Sequence, residues 1–286
     1  MPKQSKKSLN NMPPKIGRVL IVAGSDSGGG AGIQGDIKTV TALGGYAATA
    51  ITALTAQNTE GVFGIHEVPD DFIALQMRLV LDDIGADAIK TGMLHKASVI
   101  NTIADVLADY PDIPLILDPV MVAKGGAPLL QPDAVKVLME RLIPRATLIT
   151  PNIPEAALLL RTMGCNLQLA ECRDMEAAGK KLLELGPQAV LLKGGHLVSD
   201  EVTDILAMYQ DSLTSYCAYT SPRIVTRHTH GTGCALASAI ATGIAQDLPL
   251  EDAIARARNY VAEAIRTAPG LGKGHGPLGH GNTIIS

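Results

Sequence analysis

Arg18-Val19-Leu20-Ile21-Val22-Ala23-Gly24-Ser25-Asp26-Ser27-Gly28-Gly29-Gly30-Ala31-Gly32 decides the fold. Its first six residues form an apolar, β-branched run closed by glycine, the pattern of a buried strand. A glycine-dense loop follows, and a helical pattern runs from about Ile33 to Leu43. Strand, glycine loop and helix in that order raise the question of a dinucleotide fingerprint. Such a fold wants an acidic residue about 20 positions further on to hold the ribose. The corresponding run, Ala48-Thr49-Ala50-Ile51-Thr52-Ala53-Leu54-Thr55, has no carboxylate. A G-x-x-x-x-G-K-[ST] phosphate loop is missing too. Asp26 is then either the polar group of a small-molecule pocket or a solvated turn residue.

Working outward, the strand–helix rhythm continues. Tyr46 to Val68 reads as two strands broken by the turn cluster Gln57-Asn58-Thr59-Glu60-Gly61. Asp70-Asp71 reads as the cap of a helix reaching about Asp83, with Phe72, Leu75, Leu79 and Val80 at helical spacing. Strands are expected at 88–90, 115–117, 147–149 and 189–192, and helices near 97–107, 133–142, 155–163 and 174–185. Apolar strands alternating with helices imply a mostly parallel central sheet covered on both faces, the α/β class. Val202 to Val225 breaks the rhythm as a small hairpin region at a sheet edge, and two last helices run from about Cys234 to Ala245 and Leu250 to Thr267. No repeat, low-complexity stretch or linker interrupts 16–286, which reads as one domain behind a disordered tail, 1–15.

Composition narrows the function classes. The 286 residues are 47% hydrophobic and 18% charged, which suits a large buried core and argues against a disordered chain. A net charge of -4 offers no basic footprint for nucleic acid, and with no Trp and two Phe there is no base-stacking platform. No apolar run approaches a membrane span. Four cysteines without C-x-x-C spacing suit a reducing compartment, so a cytoplasmic location is expected.

A second stretch carries chemistry: Arg227-His228-Thr229-His230-Gly231-Thr232-Gly233-Cys234, running into a small-residue helix. A helix N-terminus has unpaired N–H groups and partial positive charge, a seat for an anion, and Gly231 and Gly233 would let the backbone approach it. Cys234 falls in the first turn, where the same dipole is expected to lower a thiol pKa; the alternative is a buried, inert cysteine. Other polar clusters fall at the carboxyl ends of the expected strands, where open α/β sheets bind ligands. They are Asp26, Gln57, Lys90-Thr91-Gly92-Met93, Asp118-Pro119-Val120, Thr150-Pro151-Asn152 through Glu155, and Lys193-Gly194-Gly195-His196. Asp118 and Glu155 are able to hold Mg²⁺ and Lys193 to pair with phosphate, an inventory that fits phosphoryl transfer.

Together with Thr55-Ala56-Gln57-Asn58-Thr59 and the closing Gly274-His275-Gly276-Pro277, these motifs closely resemble the bacterial hydroxymethylpyrimidine/phosphomethylpyrimidine kinases, a ribokinase-like family. The likeness runs from about Arg18 to Pro277. It implies a ribokinase-like fold and an ATP- and Mg²⁺-dependent kinase of thiamine biosynthesis. Such an enzyme phosphorylates 4-amino-5-hydroxymethyl-2-methylpyrimidine and then its monophosphate. Residue by residue, the likeness assigns Gly24, Asp26, Gln57, Met93 and Val120 to the pyrimidine pocket. Asp118 and Glu155 go to Mg²⁺, and Asn152 and Lys193 to the ATP phosphates. Gly231, Thr232, Gly233 and Cys234 form the catalytic turn, and Lys124 is carried on a flap, Val122-Ala123-Lys124-Gly125-Gly126-Ala127. It also implies a homodimer whose partner molecule is a small pyrimidine, with neither nucleic acid nor membrane involved. A pyridoxal kinase of the same branch is the alternative. On this reading Cys234 is the candidate base for the alcohol, which needs one more than the already ionised monophosphate does.

Overall fold

The structure, a computed structural model, describes residues 15–123, 126, 128–210 and 213–283. The tail reading falls outside it, apart from Lys15, which pairs with Asp247 at 2.8 Å.

The opening stretch folds as read: strand β1 (Arg18–Asp26), a glycine loop, then helix α1 (Gly32–Ala42). The chain continues through β2 (Tyr46–Gln57), β3 (Val62–Glu67), α2 (Asp70–Asp83), β4 (Ala88–Thr91), α3 (Ala97–Ala108) and β5 (Leu115–Leu117). Next come α4 (Pro132–Arg141), β6 (Leu148–Ile149), α5 (Ile153–Thr162), α6 (Cys172–Leu183) and β7 (Ala189–Leu192). The hairpin β8 (Glu201–Gln210) and β9 (Leu213–Pro222) precedes α7 (Thr232–Ala245) and α8 (Leu250–Arg266).

Among the described residues, nine strands form one sheet, ordered β3-β2-β1-β4-β5-β6-β7-β8-β9. The six central strands are parallel, with Val19 opposite both Ala47 and Ala88. β3 at one edge and β8–β9 at the other run antiparallel to their neighbours. The period of two along β1 assigns its side chains to two cores. Leu20 and Val22 face a layer containing residues of α2, α3, α4, α5 and α6, while Val19, Ile21 and Ala23 face α1, α7 and α8. β1, β5 and β7 are buried along both faces over most of their length, which is why they read as apolar runs, whereas β2, next to the edge, is buried only in part.

α2 departs from the sequence reading in two respects. Pro69 is its N-cap, and Asp70 and Asp71 lie in the first turn, where their charge complements the helix dipole without a side-chain cap. Its buried face is Ile73, Met77 and Leu81. Phe72, Leu75 and Leu79, the residues that gave the helical spacing, are 53%, 48% and 63% exposed. Two apolar stripes share this helix, and spacing alone does not distinguish the core-facing one.

Candidate active site

The sheet's strand order reverses between β1 and β4, so the crevice beyond their carboxyl ends is where an open α/β sheet takes ligands. The polar clusters picked out from sequence gather along this rim. Asp26 and Gln57 close β1 and β2, and Thr91, Leu117, Ile149 and Leu192 are the last residues before the others.

At one end, Asp26 is 2% exposed, which excludes the solvated turn. Its Oδ1 accepts from Gly28 N–H at 2.8 Å, and its Oδ2 from the N–H groups of Gly30 and Ala31 at 3.1 and 2.8 Å. Nε2 of His230 also reaches Oδ2 at 2.8 Å. Burial raises the carboxyl pKa, but His230 and these amides outweigh it, and the group stays below its ordinary value. Asp26 therefore organises the glycine loop, with its oxygens already engaged. Gln57 stands beside it, its Oε1 accepting from Thr55 Oγ1 at 3.1 Å and its Nε2 3.3 Å from His230 Nε2. Each end of that amide retains hydrogen-bonding capacity for a ligand.

The apolar residues that the resemblance assigns to the pyrimidine also lie together. Met93 packs with Ala53 and Leu129, and Val120 lies against this cluster. A Cβ on Gly24 would sit 3.3 Å from the Met93 sulfur, so glycine there leaves the thioether its place.

Toward the centre, Lys193 Nζ donates to Asp118 Oδ1 at 2.9 Å, and Thr150 Oγ1 donates to the same oxygen at 3.0 Å. Asp118 stays ionised: burial opposes this, but Lys193 and Lys90 prevail. Asn152 caps α5 by accepting from Glu155 N–H at 2.9 Å, while Glu155 Oε2 accepts from Asn152 N–H at 2.8 Å. Burial raises the Glu155 carboxyl to about 7 despite the neighbouring Lys193. Beyond Lys193 a cleft of about 480 Å³ is lined by Gly195, His196, Leu197, Asp200 and Arg223 among others.

α7 starts at this rim. Its N-cap is Gly231, in the left-handed region at φ 85°, and no side chain caps the helix. The freedom of Gly231 serves the loop rather than an anion: a Cβ there would lie 1.9 Å from the Gly30 carbonyl oxygen. Gly233 lies in the first turn, and its Cβ would come 3.4 Å from Lys193 Nζ and 3.7 Å from Asp118 Oδ2. That places the uncapped N–H groups, an ammonium and a carboxylate around one small space. The thiol of Cys234 differs from the expectation. Burial pushes it up to about 11, outweighing the pull of Lys90, so it is a protonated thiol at neutral pH. Lys124 of the flap lies outside the described residues; at the flap's root Val122 bridges Pro128.

Sequence reasoning quoted His230 only within a motif and gave it no task. Its signal was the motif itself, Thr-His-Gly-Thr-Gly-Cys. Asp204 and Arg258 carried no local signal at all. Asp204 Oδ1 accepts from Gly194 N–H at 2.9 Å, and its Oδ2 pairs with Arg258, which also donates to the Val202 carbonyl at 3.1 Å. The pair fixes the turn that follows Lys193.

The resemblance read from motifs is matched by comparison with known proteins. The family profile described as phosphomethylpyrimidine kinase matches residues 26–279. The hydroxymethylpyrimidine/phosphomethylpyrimidine kinase of Bacillus subtilis is 43% identical over 93% of this chain and 95% of its own length. The thiamine biosynthesis bifunctional protein ThiED of Geobacter sulfurreducens is 54% identical over 92% of this chain, which spans about half of that longer protein (52%). Among solved structures, an ADP complex of Bacillus subtilis pyridoxal kinase superposes with a TM-score of 0.84 at 34% identity, covering 95% of this chain and all (100%) of that one. Phosphomethylpyrimidine kinase from Clostridium difficile superposes at 0.76 with 38% identity, over 87% of this chain and 99% of its own. With the ribokinase-like sheet and the rim residues in place, the chain belongs to the phosphomethylpyrimidine kinase family.

Proposed function

We propose that this chain transfers phosphoryl groups from ATP to 4-amino-5-hydroxymethyl-2-methylpyrimidine and then to its monophosphate, in thiamine biosynthesis. The observation that carries this reading is the grouping of Lys193, Asp118 and Gly233 at the uncapped start of α7, along the same rim as Gln57, Met93 and Val120. The aminopyrimidine edge, a donor beside a ring-nitrogen acceptor, suits the free capacity of the Gln57 amide. Met93, Val120 and Gly24 receive the ring. Lys193 and the α7 N–H groups take the transferring phosphoryl group, and positioning and charge neutralisation are what that transfer chiefly requires. The base of ATP is assigned to the cleft beyond Lys193, with Asn152 toward its phosphates.

The donor set also suits Mg²⁺. Asp118 Oδ2 is free of the lysine and faces Gly233, and Glu155 titrates nearby; Mg²⁺ asks for one or two carboxylates plus phosphate oxygens and water. Asp118 and Glu155 would hold it, and when bound it would neutralise phosphate charge. We assign the α2 face formed by Phe72, Leu75 and Leu79 to a homodimer contact, since a helix rarely exposes an apolar stripe to water. The four thiols are unpaired, in keeping with the cytoplasm.

Pyridoxal phosphorylation is a second reading, favoured by the similarity to the pyridoxal kinase of Bacillus subtilis. Side-by-side turnover of the hydroxymethylpyrimidine, its monophosphate and pyridoxal decides between them. The proposal expects both pyrimidines to be turned over, with pyridoxal slower. Turnover of pyridoxal alone would reject it.

A further inference from the structure

Behind Cys234 lies an ion pair that the phosphoryl-transfer reading does not use. Lys90 Nζ sits 2.8 Å from Asp36 Oδ2, and both side chains are fully buried, at 0% exposure. The other oxygen of Asp36 accepts from Ser238 Oγ at 2.7 Å. Three elements thus meet here: Lys90 from β4, Asp36 from α1, and Ser238 from α7, one turn beyond Cys234. A Cβ on Gly92 would fall 2.9 Å from Lys90 Nζ, so the ammonium lies directly beneath the turn that leads from β4 to Met93. Besides Asp36, the charged or titratable groups that act on it are Cys234 and Asp118.

Stability is a poor reason for such a pair. Removing two charges from water costs more than their attraction readily returns, and an apolar pair of similar volume is often as stable. An ion pair fixed in a dry interior, however, presents an oriented field with its ammonium end foremost, damped less than it would be in water. Fixed charge beneath a site stabilises negative charge gathering above it without any reorganisation. Burial alone would strip the Lys90 proton; Asp36, with Asp118 behind it, reverses that and holds the ammonium charged.

We propose that Lys90 is a positioning residue of the phosphoryl-transfer site, its ammonium pinned by Asp36 and Ser238 to hold a fixed positive charge under the first turn of α7. The inference rests on the kinase reading and deepens it. Asp36 aims the charge, and through Ser238 it ties that charge to the helix that presents Gly233 and Cys234.

The test compares wild type, Lys90→Met and the double variant Lys90→Met/Asp36→Asn, the last keeping a partner for Ser238 while leaving no unpaired buried charge. Two readouts are taken from folded protein. The first is kcat and KM for ATP with the hydroxymethylpyrimidine as acceptor. The second is the rate of Cys234 alkylation by iodoacetamide against pH, followed by peptide mass, which needs no turnover. The expected result is a loss of about ten-fold or more in kcat for both variants, with KM for ATP within three-fold of wild type. In Lys90→Met the alkylation of Cys234 is expected to move to higher pH, because Asp36 and Asp118 then act on the thiol without the Lys90 cation to offset them. In the double variant, which also loses the Asp36 charge, the move is smaller. A kcat within three-fold of wild type, or an unmoved alkylation profile, overturns the proposal. So does failure of both variants to fold, which would make the pair structural. A wild-type protein that turns over neither pyrimidine sinks the kinase reading instead, and the alkylation profile then judges the electrostatic role of Lys90 separately.

Discussion

Oδ2 of Asp26 and Nε2 of His230 meet at 2.8 Å, joining two glycine loops that are 204 positions apart in the chain. The same carboxylate gathers the N–H groups of Gly28, Gly30 and Ala31. Asp26→Ala leaves those donors without their acceptor and frees the imidazole. A buried group left unpaired costs about 1–3 kcal/mol, so urea unfolding should show a loss of roughly 3 kcal/mol. Asp26→Asn, which keeps the shape but loses the charge, should weaken pyrimidine binding in calorimetry while ATP binding holds. Unchanged pyrimidine affinity in Asp26→Asn would detach the loop from the pocket.

Gly231 and Gly30 are equally interdependent. A methyl group on Gly231 meets the Gly30 carbonyl at 1.9 Å, and the φ of 85° already disfavours any L side chain. Gly231→Ala must therefore push the two loops apart, with a fall in thermal midpoint and loss of phosphoryl transfer. Gly61→Ala is the control, since a Cβ there meets nothing within 4 Å. Similar midpoints for the two variants would show that the loops separate at no cost.

Arg258 braces the turn after Lys193 from a distance. Its bond to Asp204 holds the acceptor of Gly194 N–H, and Thr203 O would lie 2.0 Å from any Cβ on Gly194, so the turn after Lys193 has little room to drift. Breaking a buried pair by removing one partner costs about 3–5 kcal/mol, and Arg258→Met should approach that loss in urea unfolding. Adding Asp204→Asn should recover part of it by removing the stranded charge. Calorimetry should show ATP affinity reduced several-fold in Arg258→Met with pyrimidine affinity intact. A variant that binds ATP like wild type would confine the pair to stability.

The sheet was legible in the sequence because burial on both faces writes strands such as β5 and β7 as unbroken apolar runs; Val190-Leu191-Leu192 and Ile116-Leu117 are 0% exposed. The rim was legible too, since strand ends must turn and polar residues mark the turns. Long-range pairing was not. Nothing around Arg258 points to Asp204, and nothing around Lys90 points to Asp36, because such pairs are made by tertiary packing alone. The exposed stripe of α2 was not separable from its core face for a related reason: Phe72, Leu75 and Leu79 have the same spacing that a core face would have. The thiol of Cys234 was misjudged because the dipole at a helix start is readable from sequence, whereas the dryness that opposes it is not.

His280 gives stability a pH dependence. The imidazole is 8% exposed, with Tyr260 Oη 2.8 Å from its Nδ1, and burial, aided by Lys38, lowers its pKa to about 4 from the usual 6.5. Because the folded value is the lower one, the contribution is present in full above about 6.5 and is lost as pH falls toward 4. A shift of that size corresponds to about 3 kcal/mol at most, and partial burial reduces it. His280→Gln should flatten the decline in stability across that window, read from urea midpoints at a series of pH values. A wild-type decline that the variant reproduces in full would assign the acid sensitivity to other groups.

Cys234 remains the residue on which the two phosphorylations should differ or agree. A general base would matter most to the alcohol, whose proton stays in place at neutral pH, and little to the monoester, whose second pKa near ~6 leaves it largely ionised. With the thiol pushed up to about 11, only a trace is thiolate at pH 7.5, and a loose phosphoryl-transfer transition state asks little of a base in any case. The structure therefore favours a thiol that shapes the first turn of α7 beside Gly233 over one that takes a proton. Cys234→Ala should lower kcat/KM for the hydroxymethylpyrimidine and for its monophosphate by similar factors, and Cys234→Ser, which keeps a donor in place, should restore part of both. A loss at least ten-fold greater on the alcohol than on the monophosphate would reverse this conclusion and make the thiolate the base after all.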